Sequence, residues 1–277
     1  MSTETAPAVV DLGPGDPRAA VVAGIHGDEP SGVRAVRSLL GEKPDFEAGV
    51  RFLLGNPAAF LANDRYLDVD LNRVFPGSRD AAERERRLAA ALCDLTANQP
   101  TLSLHATHSQ PEPMALVDLQ AEIASLAAEL PVPSVVDETT AIEGSFTDCS
   151  SVVTIEAGCQ HSDQAMETAL DQVRAFLQLT DVLPGEPPAA TPRFYRLDDV
   201  VEKPPDVTYD LRVENFEPVS AGTTYATAGA DAFVAERSFV PVLMSECGYE
   251  EIFGYRGTFL GDSLPAARRA LASEPAH

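Results

Sequence analysis

The chain has 277 residues, of which 44% are hydrophobic, and its formal net charge is −23 because 43 acidic residues outnumber 20 basic ones. This length and apolar content suffice for one large core plus a smaller appended unit, whereas so negative a charge argues against nucleic acid and anionic membranes as partners. The first residues, MSTETAPAVV, lack the basic and apolar regions of a secretory signal, and no apolar run approaches membrane-spanning length. We therefore predict a cytoplasmic protein with no membrane partner.

The basic residues are unusual in type as well as in number. Lys43 and Lys203 are the only lysines, and the remaining basic residues are arginines. An acidic, lysine-poor globular chain is typical of a cytoplasm with high salt, where concentrated cations screen the carboxylates. The sequence thus predicts a protein from a halophile.

The cysteines and the common catalytic motifs are mostly uninformative. The four cysteines are scattered, with no C-x-x-C pair, and the chain has no G-x-S-x-G motif and no phosphate-binding loop. Four cysteines in a chain of this length do not make a disulfide scaffold, so we expect reduced thiols.

Four apolar, β-branched runs each lead into a polar residue that is capable of chemistry. In chain order, AAVVAGIHGDE leads to His26 and Glu29, RFLLGN to Asn56, TLSLH to His105, and SVVTIE to Glu156. In a parallel sheet, ligands bind beyond the carboxyl ends of the strands. The sequence therefore predicts that these side chains converge on one site.

Helical patterns lie between the predicted strands. Pro30 suits the first position of a helix whose apolar stripe continues to residue 40. Apolar residues at helical spacing predict further helices within 80–97, 119–130 and 162–179, the last with Ser162 as its cap. Strands that alternate with helices predict an α/β fold, with a mixed, largely parallel sheet flanked by helices.

The sequence changes in character after residue 179. Residues 1–182 form the predicted α/β domain, and residues 183–193 are rich in proline and glycine and are predicted to be a linker. Residues 194–277 contain short alternating runs among turn residues, which predict a small β-rich domain at the C-terminus.

Two histidines and one glutamate are the ligand set of a catalytic zinc site with an open position for water. His26 and Glu29 are three residues apart, so both side chains share a face if Gly27–Ser31 begins a helical turn. Gly24 and Gly27 flank the histidine and let the backbone approach an ion closely.

The H-x-x-E pair alone fits a solvated helix start beside a core histidine at least as well as it fits a metal site. The second strand-end histidine, His105, and the strand-end carboxylate Glu156 favour the metal site. His108 is the nearest rival to His105, but its place in a loop suits a substrate contact better than ligation.

Four segments carry a resemblance to a known family. GIHGDEPSG (24–32), RYLDVDLNRVFPG (65–77), LSLHATHS (102–109) and VTIEAGCQ (153–160) occur in the order and rough spacing of the succinylglutamate desuccinylase/aspartoacylase family. The chain resembles this family of zinc amidohydrolases, which is related to the zinc carboxypeptidases, over about residues 19–180.

The resemblance implies a zinc-carboxypeptidase-like fold and a role for each matching residue. It implies one Zn²⁺ per chain, with Glu156 acting on the metal-bound water, Arg65 polarising the scissile carbonyl, and the small domain leaning over the active-site mouth. The ligands that it implies are His26, Glu29 and His105, and the substrate-binding residues are Asn72, Arg73 and, by position, Tyr249.

We therefore predict a zinc-dependent hydrolase that removes an acyl group from a small, carboxylate-bearing N-acyl amino acid. One alternative is a zinc carboxypeptidase that acts on peptides, and the other is a non-catalytic, metal-bearing binding module. A module that only binds has no need of the base Glu156, which disfavours the last alternative. The sequence leaves open whether the protein is a homo-oligomer.

The absence of basic residues from one segment constrains the nature of the substrate. Aspartoacylase-like members use an arginine somewhat before the catalytic glutamate to pair with a second acidic group, but residues 130–155 contain no arginine or lysine here. A second anion would be desolvated there without a partner, unless Arg193 or Arg256 supplied one. We thus expect a neutral or apolar amino acid or acyl group, with poor activity on acetylaspartate and succinylglutamate.

Overall fold

The computed structural model describes residues 6–109, 112–149, 151–203, 207–246 and 252–273. Within these ranges the chain forms thirteen strands and six α-helices. The strands are β1 (Ala8–Leu12), β2 (Pro17–Ala23), β3 (Gly49–Leu54), β4 (Thr101–Thr107), β5 (Met114–Val117), β6 (Ser134–Asp137), β7 (Val152–Cys159), β8 (Arg193–Glu202), β9 (Asp210–Leu211), β10 (Thr224–Ala228), β11 (Asp231–Val234), β12 (Val240–Val242) and β13 (Ile252–Gly261). The helices are α1 (Pro30–Gly41), α2 (Pro57–Ala62), α3 (Arg84–Thr96), α4 (Ala124–Ala127), α5 (Asp163–Leu179) and α6 (Leu264–Ser273).

Ten of the strands form one mixed sheet in the order β1-β3-β2-β4-β7-β5-β6-β8-β13-β12. The neighbours β3, β2, β4 and β7 are parallel, as are β5, β6 and β8, whereas β5 runs antiparallel to β7. The predicted mixed, largely parallel sheet is therefore confirmed.

Both faces of the sheet are covered, and β2 shows why its sequence is almost continuously apolar. Ala19 and Val21 pack with α1 and α5 in one core, while Ala20 and Val22 pack with α3 in a second core on the other face. Because side chains alternate between the faces of a strand, a strand that is buried on both faces carries apolar residues at nearly every position.

Three of the predicted helices are close to the observed ones. Helix α1 begins at Pro30, and Ser162 caps α5 because its Oγ accepts a hydrogen bond from the Ala165 N–H at 3.0 Å. Helix α3 begins at Arg84, a few residues later than the pattern suggested.

Helix α4 is much shorter than the predicted helix within 119–130. Its start is delayed because the Asp118 carboxylate accepts the Gln120 N–H at 2.8 Å, a local bond that competes with helix formation. It ends at Ala127, and an extension through Leu130 is disfavoured because the residue before a proline avoids the helical conformation.

The C-terminal part of the chain contributes to both sheets. Strand β8 begins directly after an irregular segment and pairs in parallel with β6, so that β8, β13 and β12 continue the large sheet. Strands β9, β10 and β11 form a separate three-stranded antiparallel sheet. The domain boundaries at 182/183 and 193/194 stay a prediction. In the described part of the chain, no helix combines the length and apolarity needed to cross a membrane.

The expectation of reduced thiols is wrong for two cysteines. Cys93 in α3 and Cys149 form a disulfide, with their Cα atoms 5.5 Å apart. Their separation of 56 residues gave no sign that α3 packs against the segment before β7. Cys159 is free and half-buried, and Cys247 lies outside the described residues.

Candidate metal centre

The carboxyl ends of three adjacent parallel strands bring the predicted ligands together. His26 and Glu29 lie in the turn after β2, His105 lies near the end of β4, and Glu156 lies opposite His105 on β7. This convergence was predicted from the apolar runs, and it depends on β2, β4 and β7 being parallel neighbours.

His26, Glu29 and His105 form a buried cluster around one carboxylate. Glu29 Oε1 is 2.7 Å from His26 Nδ1, and Glu29 Oε2 is 3.1 Å from His105 Nδ1. One ligand atom from each residue lies within 4.8 Å of the others, and all three residues are at most 3% exposed. The three predicted ligands are thus in mutual contact.

The helical-turn explanation for the first two ligands is wrong in detail. Helix α1 begins only at Pro30, and His26 and Glu29 are instead joined by a turn in which the Glu29 N–H donates to the His26 carbonyl at 3.4 Å. A single turn before the helix brings residues three apart together just as a helical turn does.

Gly27 allows two backbone segments to approach each other closely. A Cβ at this position would lie 2.1 Å from the Ala59 carbonyl carbon and 2.4 Å from the Asp64 carbonyl oxygen. The Gly27 N–H also donates to the Arg65 carbonyl at 3.2 Å. The missing side chain therefore lets the loop that carries Arg65 pack against the ligand turn.

Asp70 is a functional candidate that the sequence reasoning missed, because it lies in a polar run that resembles a surface loop. Its Oδ1 is 3.0 Å from His26 Nε2, and its Oδ2 accepts a hydrogen bond from Arg65 Nε at 3.0 Å. A carboxylate on the far ring nitrogen fixes the orientation of a ligating histidine. The aspartate of the D-L-N-R element was the available signal.

The charges in the cluster keep its carboxylates ionised. Burial raises the pKa of Glu29, but His26 and His105 outweigh burial and hold this pKa well below its usual range. Burial likewise raises the pKa of Asp70, yet His26 and Arg65 bring that pKa below its usual range. For His26, burial lowers the pKa, but Glu29 and Asp70 more than compensate and the pKa is raised.

The cluster fits a zinc ion on the chemistry of its donors. Two imidazole nitrogens and one ionised carboxylate converge in a buried space, which is the donor set of catalytic zinc sites. Among the described residues, seven enclosed side-chain atoms lack a hydrogen-bond partner, and two of them, His105 Nε2 and Glu156 Oε2, belong to this site. Such unpartnered polar atoms are rare in folded proteins and are typical of sites that hold a further group.

A cavity opens beside the cluster. Glu156 lines it, and burial raises the pKa of this carboxyl to about 7, with the nearby charges of His105 and Glu29 acting in opposite directions. Its other lining residues are His26, Arg65, Asn72, Arg73, Thr107, His108, Ser109, Leu116, Glu138, Ile142, Leu243, Ser245, Ile252, Gly254 and Tyr255.

Arg65, Asn72 and Arg73 reach the cavity from one loop. Arg65 Nη1 donates to Glu29 Oε1 at 3.2 Å, which ties this guanidinium to the ligand cluster. Asn72 Oδ1 accepts the Phe146 N–H at 2.9 Å, and the exposed Arg73 donates to the Asn72 carbonyl at 2.7 Å. Arg65 thus lies beside the ligands, and Arg73 is in an outer part of the cavity wall.

The remaining candidates divide into those in the cavity and those elsewhere. His108 lines the cavity, as expected for a substrate contact, and is not part of the His26–Glu29–His105 cluster. Asn56 does not reach the cavity, because it is fully buried as the cap of α2. Tyr249 lies outside the described residues, and Tyr255 on β13 lines the cavity instead, although the sequence gave no reason to select it.

Comparison with known proteins identifies the family of the chain. The model of the succinylglutamate desuccinylase/aspartoacylase catalytic domain matches residues 15–179, which is more than half of the chain. The chain therefore belongs to this family of hydrolases. No curated protein sequence matches the chain.

Solved structures have the same fold at low sequence identity. A succinylglutamate desuccinylase/aspartoacylase from Rhodobacter sphaeroides is 18% identical, with a TM-score of 0.72 over 91% of this chain and 89% of that one. The ectoine utilization protein EutE of Ruegeria pomeroyi is 19% identical, with a TM-score of 0.72 over 90% and 88% of the two chains. Murine aminoacylase 3 is 21% identical, with a TM-score of 0.69 over 89% and 97%.

Proposed function

We propose that this protein is a zinc-dependent deacylase that hydrolyses the amide bond of small N-acyl amino acids. The observation that carries the proposal is the buried His26–Glu29–His105 cluster with Glu156 beside it at the edge of one cavity. Membership of the desuccinylase/aspartoacylase family supports an N-acyl amino acid as the substrate.

The ligand cluster supplies the electrophilic part of the chemistry. His26, Glu29 and His105 hold the ion, and Asp70 keeps the His26 ring in the ligating orientation. When bound, zinc makes hydroxide available near neutral pH and polarises the acyl carbonyl. The Arg65 guanidinium lies beside Glu29 and adds positive charge where the carbonyl oxygen becomes negative.

Glu156 moves the proton. Its carboxylate accepts a proton from the attacking water and then donates that proton to the leaving nitrogen. Burial favours this role, because a carboxyl whose pKa is near 7 both takes up and releases a proton at neutral pH. The products are a free carboxylic acid and an amino acid.

Asn72 and Arg73 bind the carboxylate of the amino acid. An arginine presents a planar pair of donors that grips a carboxylate, and Asn72 is already fixed by its bond from the Phe146 N–H. Membership of the desuccinylase/aspartoacylase family, and not the clamp, favours deacylation over carboxypeptidase activity, because N-acyl amino acids and peptides both carry a free carboxylate.

A substrate panel tests the proposal. Zinc-loaded protein is incubated with N-acetyl and N-succinyl derivatives of leucine, methionine, aspartate and glutamate, with the amide of N-acetylleucine, and with the dipeptide Ala-Leu, and release of free amine is followed. The proposal predicts hydrolysis of at least one free N-acyl amino acid and slower hydrolysis of the blocked amide and the dipeptide. Cleavage of the dipeptide alone would point to a carboxypeptidase.

A further inference from the structure

Glu138 is a buried carboxyl group in the wall of the cavity that the proposed reaction does not use. It follows β6 directly and is 3% exposed, yet it lines the same cavity as Glu156 and Arg73. A buried carboxylate is costly unless it is paired with a positive charge or fully hydrogen-bonded. Its presence here therefore needs a ligand or a structural reason.

The structural bonds satisfy only one of its oxygens. The Ser145 and Thr147 hydroxyls both donate to Glu138 Oε1, the former at 3.1 Å. In the described ranges, no hydrogen bond reaches Oε2 and no ion pair involves Glu138. Two hydroxyls thus hold the carboxyl group by one oxygen and leave the other for a group in the cavity.

The segment 145–147, which bonds to Glu138, also bonds to the proposed carboxylate clamp, which consists of Asn72 and Arg73. Between Ser145 and Thr147, the Phe146 N–H donates to Asn72 Oδ1 at 2.9 Å. Arg73 is close enough for its charge to oppose the rise in the pKa of Glu138 that burial causes. The carboxylate clamp and the buried carboxyl group are therefore neighbours in the cavity wall.

We propose that Glu138 is a specificity-determining residue that binds an ammonium group of the substrate, so that the preferred substrates are mono-acylated diamino acids. Such a molecule carries one carboxylate for Asn72 and Arg73, one acyl amide for the metal centre and Glu156, and one free ammonium group for Glu138. This inference rests on the proposed deacylase function. It replaces the expected neutral or apolar substrate with a cationic one, and it agrees with the absence of arginine and lysine from residues 130–155.

The test compares substrates that differ only in charge. Values of kcat/KM are measured for Nα-acetylornithine and its neutral isostere Nα-acetylnorleucine, and for Nδ-acetylornithine and 5-acetamidopentanoate, which lacks the α-ammonium group. We expect kcat/KM for one ornithine derivative to exceed kcat/KM for the analogue without the ammonium group by at least about tenfold. This ratio is the scale of a hydrogen bond to a charged group. Which isomer is preferred identifies the nitrogen that carries the acyl group.

Two variants assign the preference to Glu138. Glu138→Gln should reduce the preference to about twofold or less while changing kcat/KM for the neutral substrates by less than about threefold. Glu143→Gln is the matched control, because Glu143 is exposed on the same segment and does not line the cavity. This variant should keep the full preference.

The outcomes separate this inference from the proposed function. Hydrolysis of the neutral substrates without a preference for an ornithine derivative, or a preference that survives in Glu138→Gln, overturns the role of Glu138 and leaves the deacylase standing. No hydrolysis of any substrate overturns the deacylase. In that case calorimetric binding of Nα-acetylornithine and Nα-acetylnorleucine still decides whether Glu138 selects an ammonium group, since equal affinities contradict it.

Discussion

His105 and His108 lie three residues apart, and only one of them belongs to the ligand cluster. His105 is buried against Glu29, whereas His108 is exposed and lines the cavity. His105→Ala should therefore remove most of the bound zinc, because one of three ligands is lost, and His108→Ala should retain nearly all of it. Metal analysis of both purified variants provides the measurement. Equal loss of zinc from the two variants would mean that the assignment of the ligand is wrong.

Glu156 is expected to act in turnover and not in metal binding. Glu156→Gln has nearly the same shape but cannot accept the proton, so it should keep zinc and the fold while kcat falls by about 10² to 10⁴-fold, the usual contribution of general acid–base catalysis. Steady-state kinetics, zinc content and circular dichroism of the variant test this together. A variant with undiminished kcat would falsify the role of Glu156 as the base.

At the residue scale, the apolar runs predicted most of the site groups at strand ends, and the resemblance supplied the loop residues Arg65, Asn72 and Arg73. Two other loop residues were missed. His26, His105 and Glu156 follow apolar runs, so their place at the sheet edge could be inferred from the runs alone. Asp70 and Glu138 also lie in the site, but a polar loop residue has no periodic pattern that reveals which way it faces. Asp70 contacts His26, which is 44 residues away in the chain, and Glu138 contacts the segment 145–147. Neither contact could be inferred from the neighbouring sequence.

At the scale of elements, one buried residue of α3 shapes the loop that carries the site. Glu85 is fully buried, and its two oxygens accept the N–H groups of Leu67, Asp68 and Val69 as well as the side-chain amide of Asn56. These bonds fix the loop just before Asp70. Asn56, which seemed a candidate for chemistry, thus serves to join α2, this loop and α3.

Substitution of Glu85 tests this scaffold. Glu85→Gln replaces one acceptor oxygen with an amide group that points at N–H donors, so at least one buried donor loses its partner. We expect the free energy of unfolding to fall by about 1–3 kcal/mol, as for other unpaired buried polar groups, measured by urea denaturation. Glu83→Gln, two residues earlier and half-exposed, should change it by less than about 0.5 kcal/mol. Equal effects of the two variants would contradict the scaffold.

The elements themselves were largely predictable, and their exceptions have local causes. The four apolar runs became β2, β3, β4 and β7. The failed part of the helix at 119–130 reflects side-chain competition at Asp118 and the proline at 131, both of which are short-range effects that an apolar stripe does not register. The assignment of β8, β12 and β13 to the large sheet could not be predicted, because strand pairing depends on contacts distant in sequence.

The whole molecule carries a net charge of −23, and its few basic residues are used in pairs such as Arg51–Asp11 and Arg174–Glu42. Most carboxylates remain to repel one another, and salt shortens the screening length from about 10 Å at about 0.1 M to about 3 Å at about 1 M. The melting temperature should therefore rise with potassium chloride up to molar concentration. A melting temperature that does not change across such a salt series would contradict the predicted halophilic origin.

The central claim is that hydrolysis takes place at one metal ion held by His26, Glu29 and His105. Its most direct test is a titration of metal-free protein with zinc, in which bound zinc and the rate of release of amine from an N-acyl amino acid are measured on the same samples. The account predicts that activity is negligible without zinc, rises in proportion to bound zinc, and stops rising at one ion per chain. Full activity in metal-free protein, or activity that does not follow bound zinc, would contradict it.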